Sequence, residues 1–113
     1  MRRELSARSI NITHISKKIT EEALQKDLQY LQKGTSFHRI LNDIWNPKPG
    51  GRAVLEAGCG SGKLGLWYLR LGAMVTLLDI DEGALEYAKA LCQRDYPSKD
   101  LAELPVIFRE GSI

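Results

Sequence analysis

Apolar residues recur along this chain in two rhythms, and the change falls near residue 50. Before it the spacing is helical. Thr20 can cap a helix whose first turn carries Glu21 and Glu22, where carboxylates favour the positive end of the helix dipole. Leu24, Leu28 and Leu31 then share one face, and Gly34 supplies a left-handed stop. A second helix is predicted from Thr35 or Ser36, with Phe37, Ile40, Leu41, Ile44 and Trp45 on its apolar face, ending before Pro47.

The Pro- and Gly-rich run from Asn46 to Gly51 is a loop by composition. Beyond it strands and helices alternate, the pattern of βαβ units and a parallel sheet. Arg52 to Glu56 reads as a short buried strand, followed by a glycine-rich turn and a helix from about Gly62 to Leu71 that stops at Gly72. Met74 to Ile80 is almost wholly apolar, as expected of a strand covered on both faces. Asp81 caps the next helix, which carries Ala84, Leu85, Ala88 and Leu91 as one stripe and ends at Pro97. A polar loop, Ser98 to Glu103, leads to a last strand over Leu104 to Arg109. The chain therefore divides into an arm (1–18), a helical segment (19–49) and an α/β section (50–113).

Composition narrows the classes. With 43% hydrophobic and 27% charged residues the chain has the balance of a globular protein. The longest apolar stretch, Leu64 to Val75, is broken by Gly65, Arg70 and Gly72, well short of the ~20 residues of a membrane span. The net charge of +2 is uneven: residues 1–18 hold five basic groups against Glu4, and the remainder is slightly acidic. Such an arm is most simply a solvated one. It has some likeness to an organelle-targeting peptide, but Glu4 and the lack of a cleavage pattern speak against that. Cys59 and Cys92, with His14 and His38, show no metal-ligand spacing and no disulfide framework. The expectation is a reducing, cytoplasmic setting and no metal.

The chemistry concentrates in Val54-Leu55-Glu56-Ala57-Gly58-Cys59-Gly60-Ser61-Gly62-Lys63-Leu64-Gly65. Alternating glycines directly after a strand let the backbone turn sharply and approach a ligand without Cβ interference. The helix start that follows offers unpaired amides. A nucleotide P-loop fails here, because its first glycine falls on Ala57 and its magnesium-binding hydroxyl on Leu64. A dinucleotide fingerprint begun at Gly58 fails at Lys63. Begun at Gly60 it matches through Gly65, but that register starts late and leaves Glu56 facing the phosphate region, where a carboxylate repels pyrophosphate. Asp79 stands 17 residues past Gly62 at the end of the second strand, where doubly wound folds place an acid on the ribose hydroxyls. Asp81 is better explained as the helix cap.

The run Glu56-x-Gly58-x-Gly60-x-Gly62 resembles motif I of the class I S-adenosylmethionine-dependent methyltransferases. That cofactor carries an ammonium and a sulfonium and no phosphate, so a carboxylate at the strand end is acceptable. The resemblance implies a Rossmann-like fold in which Glu56, Gly58, Cys59, Gly60 and Gly62 line S-adenosyl-L-methionine, Asp79 takes the ribose and Ile80 packs on the adenine. At the third strand end Ser112 stands where the family often has an acid, with Glu110 as an alternative. The implied activity is methyl transfer to an acceptor that the sequence does not identify, and no residue is assigned as catalytic base. Two other readings stay open, an NAD-dependent oxidoreductase fragment and a non-catalytic interaction module.

The remaining conspicuous residues have plainer explanations. Trp45, Trp67 and Tyr68 sit in apolar helices and read as core. Cys59 has no base partner in sequence, so steric fit in the turn explains it better than nucleophilic catalysis. Tyr30 or Lys17 could approach the cofactor from the N-terminal helices. The family's seven-stranded sheet runs 3-2-1-4-5-7-6, and this sequence supplies strands 1 to 3. The expectation is a truncated product, a fragment of a longer protein or one half of a split assembly, with strand 1 an open edge available for association.

Overall fold

The computed structural model describes residues 3–4, 20–34 and 51–113. Its elements are β1 (Arg3–Glu4), α1 (Glu21–Lys33), β2 (Ala53–Ala57), α2 (Lys63–Arg70), β3 (Met74–Asp79), α3 (Glu82–Asp95), a short 3-10 turn (Leu101–Glu103) and β4 (Val106–Glu110). The helix expected from Thr35 or Ser36 to Trp45 lies outside the described residues, as do Lys17, His14 and His38.

The sheet order is β1-β4-β3-β2. β2, β3 and β4 are parallel, with Val54 opposite Val75 and Val75 opposite Val106. This is the Rossmann-like wing that the alternating pattern predicts, and β2 is its edge among the described strands. The antiparallel β1 is an addition. Arg3 and Glu4, read from the sequence as part of a solvated arm, pair with Glu110 and Arg109 and close the β4 side of the sheet. Two residues carry too little alternation to announce a strand.

Both crossovers lay their helices on one face of the sheet, as right-handed βαβ connections require. That face holds Val75, Leu77 and Phe108, which pack with Leu66 and Leu69 of α2 and Leu85, Ala88 and Leu91 of α3. The α3 stripe is broader than the apolar pattern suggested, since Glu86 and Lys89 are also buried. The opposite face leaves Leu55, Met74 and Ile107 exposed. β2 is therefore not the buried strand expected, since as the edge it alternates exposed and half-buried residues. Nor is β3 sheathed on both sides over its whole length, although Leu78 on the open face is buried.

Helix ends follow the local chemistry. Thr20 Oγ1 accepts from the Ala23 amide at 3.1 Å, and Gly34, at φ 70°, ends α1 with its amide on the Tyr30 carbonyl. Asp81 Oδ1 caps α3 through the Gly83 amide at 2.9 Å. Asp100 and Glu103 form a reciprocal capping box around the 3-10 turn, an element hidden within the expected polar loop. α1 lies across α2 and α3. It buries Leu24 and Leu31 there, and Glu21 makes an ion pair with Arg94. Arg70 joins α2 to α3 through Asp95 at 2.6 Å.

Candidate functional site

The site sits where β2 and β3 end and α2 begins. Gly58, Gly60 and Gly62 all adopt left-handed backbone, at φ 65°, 56° and 78°. Side chains adopt that region at a cost of roughly 1–2 kcal/mol, which explains the alternation of glycines. The turn is held by its own backbone: the Cys59 amide donates to the Leu78 carbonyl at 3.1 Å, and the Gly62 amide to the Cys59 carbonyl at 2.9 Å.

Two carboxylates secure it from either side. Glu56 Oε1 accepts the Gly65 amide at 2.9 Å. Gly62, the residue at the cap position of α2, has no side chain to offer, so a strand residue satisfies an amide of the first turn. Burial raises the Glu56 carboxyl above its ordinary value, and the Gly65 hydrogen bond opposes that rise. Asp79 Oδ2 accepts the Gly60 amide at 2.9 Å, and its Oδ1 accepts the Asp81 amide at 2.8 Å. Each carboxylate oxygen retains a lone pair for a further donor.

Cys59 is buried between these acids. Burial first, then Glu56 and Asp79, push its thiol up to about 12. It is therefore a thiol and not a thiolate at neutral pH, which agrees with a steric role. The end of β4 is tied to the same place, since the Gly111 amide donates to the Asp79 carbonyl at 2.9 Å. Ser112 follows directly and is exposed, and Ile80 is 74% exposed beside Asp79. A Cβ built on Gly58 or on Gly60 would meet no atom within 4 Å. The turn is thus open at its front. Among the described residues no group of histidine, cysteine and acidic side chains has the arrangement to hold a metal ion.

The sequence model of the methyltransferase domain family matches residues 54–112, more than half of the chain. The chain belongs to this family. A search of curated proteins finds no match. Among solved structures, a protein from Thermoplasma acidophilum is similar at 39% identity and a TM-score of 0.45, over 63% of this chain and 40% of that one. The chain thus spans well under two thirds of that protein's length. Among the described residues, no helix is long and apolar enough to cross a membrane.

In this methyltransferase domain Glu56, Gly58, Cys59, Gly60, Gly62 and Asp79 come together around one turn, and the bonds above hold all of them but Gly58. Ile80 and Ser112 lie beside it, both exposed. Three participants escaped the sequence reading. Asp27 of α1 approaches Lys63 Nζ at 3.3 Å and accepts from the Tyr87 hydroxyl of α3. Asp27, Lys63 and Tyr87 line a cleft of ≈ 340 Å³ with Gly60, Ser61 and Asp81. Asp27 does lie on the same side of α1 as Leu24, three residues on, but a single acid in an amphipathic helix carries no signal of its partner. Tyr30 reaches the neighbourhood by stacking under Lys63, 4.5 Å from its ring centroid.

Proposed function

We propose that this chain binds S-adenosyl-L-methionine at the glycine turn and forms the cofactor-binding part of an enzyme that transfers its methyl group. The observation that carries the reading is the pair of carboxylates, Glu56 and Asp79, holding an open turn of left-handed glycines. Two acids beside the turn suit a cofactor bearing an ammonium and a sulfonium, and they oppose a pyrophosphate. The empty space in front of Gly58 and Gly60 fits the close approach of a ligand to backbone.

In this reading Asp79 holds the ribose through its free lone pairs while its existing bonds to Gly60 and Asp81 fix its orientation. Ile80 offers an apolar surface to the adenine. Ser112, beside the bond from Gly111 to Asp79, supplies a hydroxyl at the third strand end. Glu56 holds the start of α2 and presents negative charge toward the amino-acid end of the cofactor. When bound, the cofactor supplies an electrophilic methyl group on sulfur. The contribution of these residues is to fix and orient it, which is a large share of the work in a displacement between two held reactants. None of these residues is proposed as a catalytic base, and the methyl acceptor is a separate substrate.

Isothermal titration of the full chain with S-adenosylhomocysteine and, separately, with NAD tests the reading. Saturable binding of S-adenosylhomocysteine with weaker or no NAD binding is expected. Preferential binding of NAD would replace it with the dinucleotide reading.

A further inference from the structure

The step from Gly62 to Lys63 puts an ammonium group at the start of α2, next to amides that lack partners within the helix. A lysine so placed is well suited to attract phosphate. In this chain the lysine is turned to other use. Its Nζ is 3.3 Å from Asp27 Oδ1 and 4.5 Å from the Tyr30 ring centroid, both on α1. Asp27 is anchored in turn, because its Oδ2 accepts from the Tyr87 hydroxyl of α3. Burial first, and then the contact with Asp27, raise that hydroxyl above its ordinary value, so it remains a donor. Asp27 is only partly exposed, with 18% of its side chain accessible, so water screens this pair less than a surface one. Lysine, aspartate and tyrosine all border the cleft that also includes Gly60 and Ser61 of the turn.

We propose that Asp27 is a specificity-determining residue: by holding Lys63 against α1, it withholds the lysine from phosphate and keeps the turn selective for a cofactor that carries none. The inference rests on the S-adenosylmethionine reading and deepens it. Asp27 lies outside residues 54–112, the span shared with the family, so this discrimination comes from an element that the matched domain does not contain.

ADP is the probe, because it shares adenosine with S-adenosylhomocysteine and has a diphosphate in place of the amino-acid arm. Both are titrated into the wild-type full chain, Asp27→Asn and the double variant Asp27→Asn/Lys63→Met, with a melting curve for each. Asparagine keeps an acceptor for Tyr87 and almost the same shape. Asp27→Asn is expected to raise ADP affinity relative to S-adenosylhomocysteine by about tenfold, the scale of one charge-assisted hydrogen bond. The gain should vanish in the double variant, a pattern that mere loosening of α1 would not produce. Should melting show that Asp27→Asn does not fold, Asp27→Ser carries the same expectation. A folded Asp27 variant with an unchanged ratio, or a gain that survives Lys63→Met, overturns the proposal. A wild-type chain that binds no S-adenosylhomocysteine would remove the cofactor reading instead, and the response of ADP to Asp27→Asn would still report whether the lysine is withheld.

Discussion

The glycines at the front of the turn and those at its back serve different purposes. Gly58 and Gly60 face empty space, whereas Gly62 and Gly65 are pressed against the core. A Cβ on Gly62 would lie 2.9 Å from Ala88 Cβ and 3.1 Å from Leu77 Cδ1. On Gly65 it would lie 2.4 Å from Leu77 Cδ2 and 2.9 Å from Glu56 Oε1. The back pair lets α2 lie close on the sheet and would be required with no ligand at all. The front pair has freedom that packing does not use. A glycine count alone does not separate the two pairs; the space beside Gly58 and Gly60 is what the proposed cofactor would use.

The sharpest break of this contrast is Gly65→Ala. Its methyl group would overlap Leu77 and disturb the Glu56 bond, at a cost of about 3 kcal/mol, the upper range for overpacking. Chemical denaturation should show the midpoint fall with the slope unchanged. Gly62→Ala combines a clash with α3 and a φ of 78°, and about 2 kcal/mol is expected from the two effects. Neither methyl group enters the space in front of Gly58 and Gly60, so for both variants the loss of stability should outweigh any loss of cofactor affinity. A back-side variant of wild-type stability would mean that the packing of α2 is not as close as described.

At the front the main effect moves from stability to affinity. Gly60→Ala meets nothing and pays only for its φ of 56°, about 1 kcal/mol. Its methyl group nevertheless occupies the space a ligand would approach. Titration with S-adenosylhomocysteine should show affinity down about tenfold or more, a loss of contact worth roughly 1.4 kcal/mol. Stability loss without affinity loss would make the front of the turn structural as well.

This contrast also explains what could be read from the sequence. The order of elements, the cap residues Thr20 and Asp81 and the turn from Glu56 to Gly62 express local rules of period, strand end and glycine spacing, and the βαβ pattern places Asp79 at the end of the next strand. In the sequence Gly65 is only the end of a dinucleotide-like pattern, and the structure gives it a packing reason instead, since a Cβ there would run into Leu77 and crowd Val75. Asp27 and Tyr87 are 60 residues apart, and no periodicity links an acid on one helix to a phenol on another. β1 is hidden for a similar reason, since Arg3 and Glu4 carry no pattern of their own and their partners, Glu110 and Arg109, lie at the far end of the sequence.

Glu56 joins front to back, and its titration gives the smallest and most selective test. Its folded carboxyl lies above the ordinary 4.5 because burial disfavours the charge more than the Gly65 amide favours it. The folded chain therefore holds this proton more tightly than the unfolded one. The resulting stability is fully present below 4.5 and is lost as the pH rises through the raised folded value. The substitution Glu56→Gln would keep an oxygen for the Gly65 amide and leave no charge to desolvate. Thermal melts of wild type and Glu56→Gln across the acidic range should consequently converge at low pH. The variant should gain on the wild type as the pH climbs through the interval just above 4.5, by about 1 kcal/mol or less for a half-buried group. A difference that does not change with pH would mean that Glu56 is not desolvated by the turn. A gain in stability accompanied by weaker S-adenosylhomocysteine binding would show that the desolvated charge is kept for the ligand, since packing alone would be better served without it.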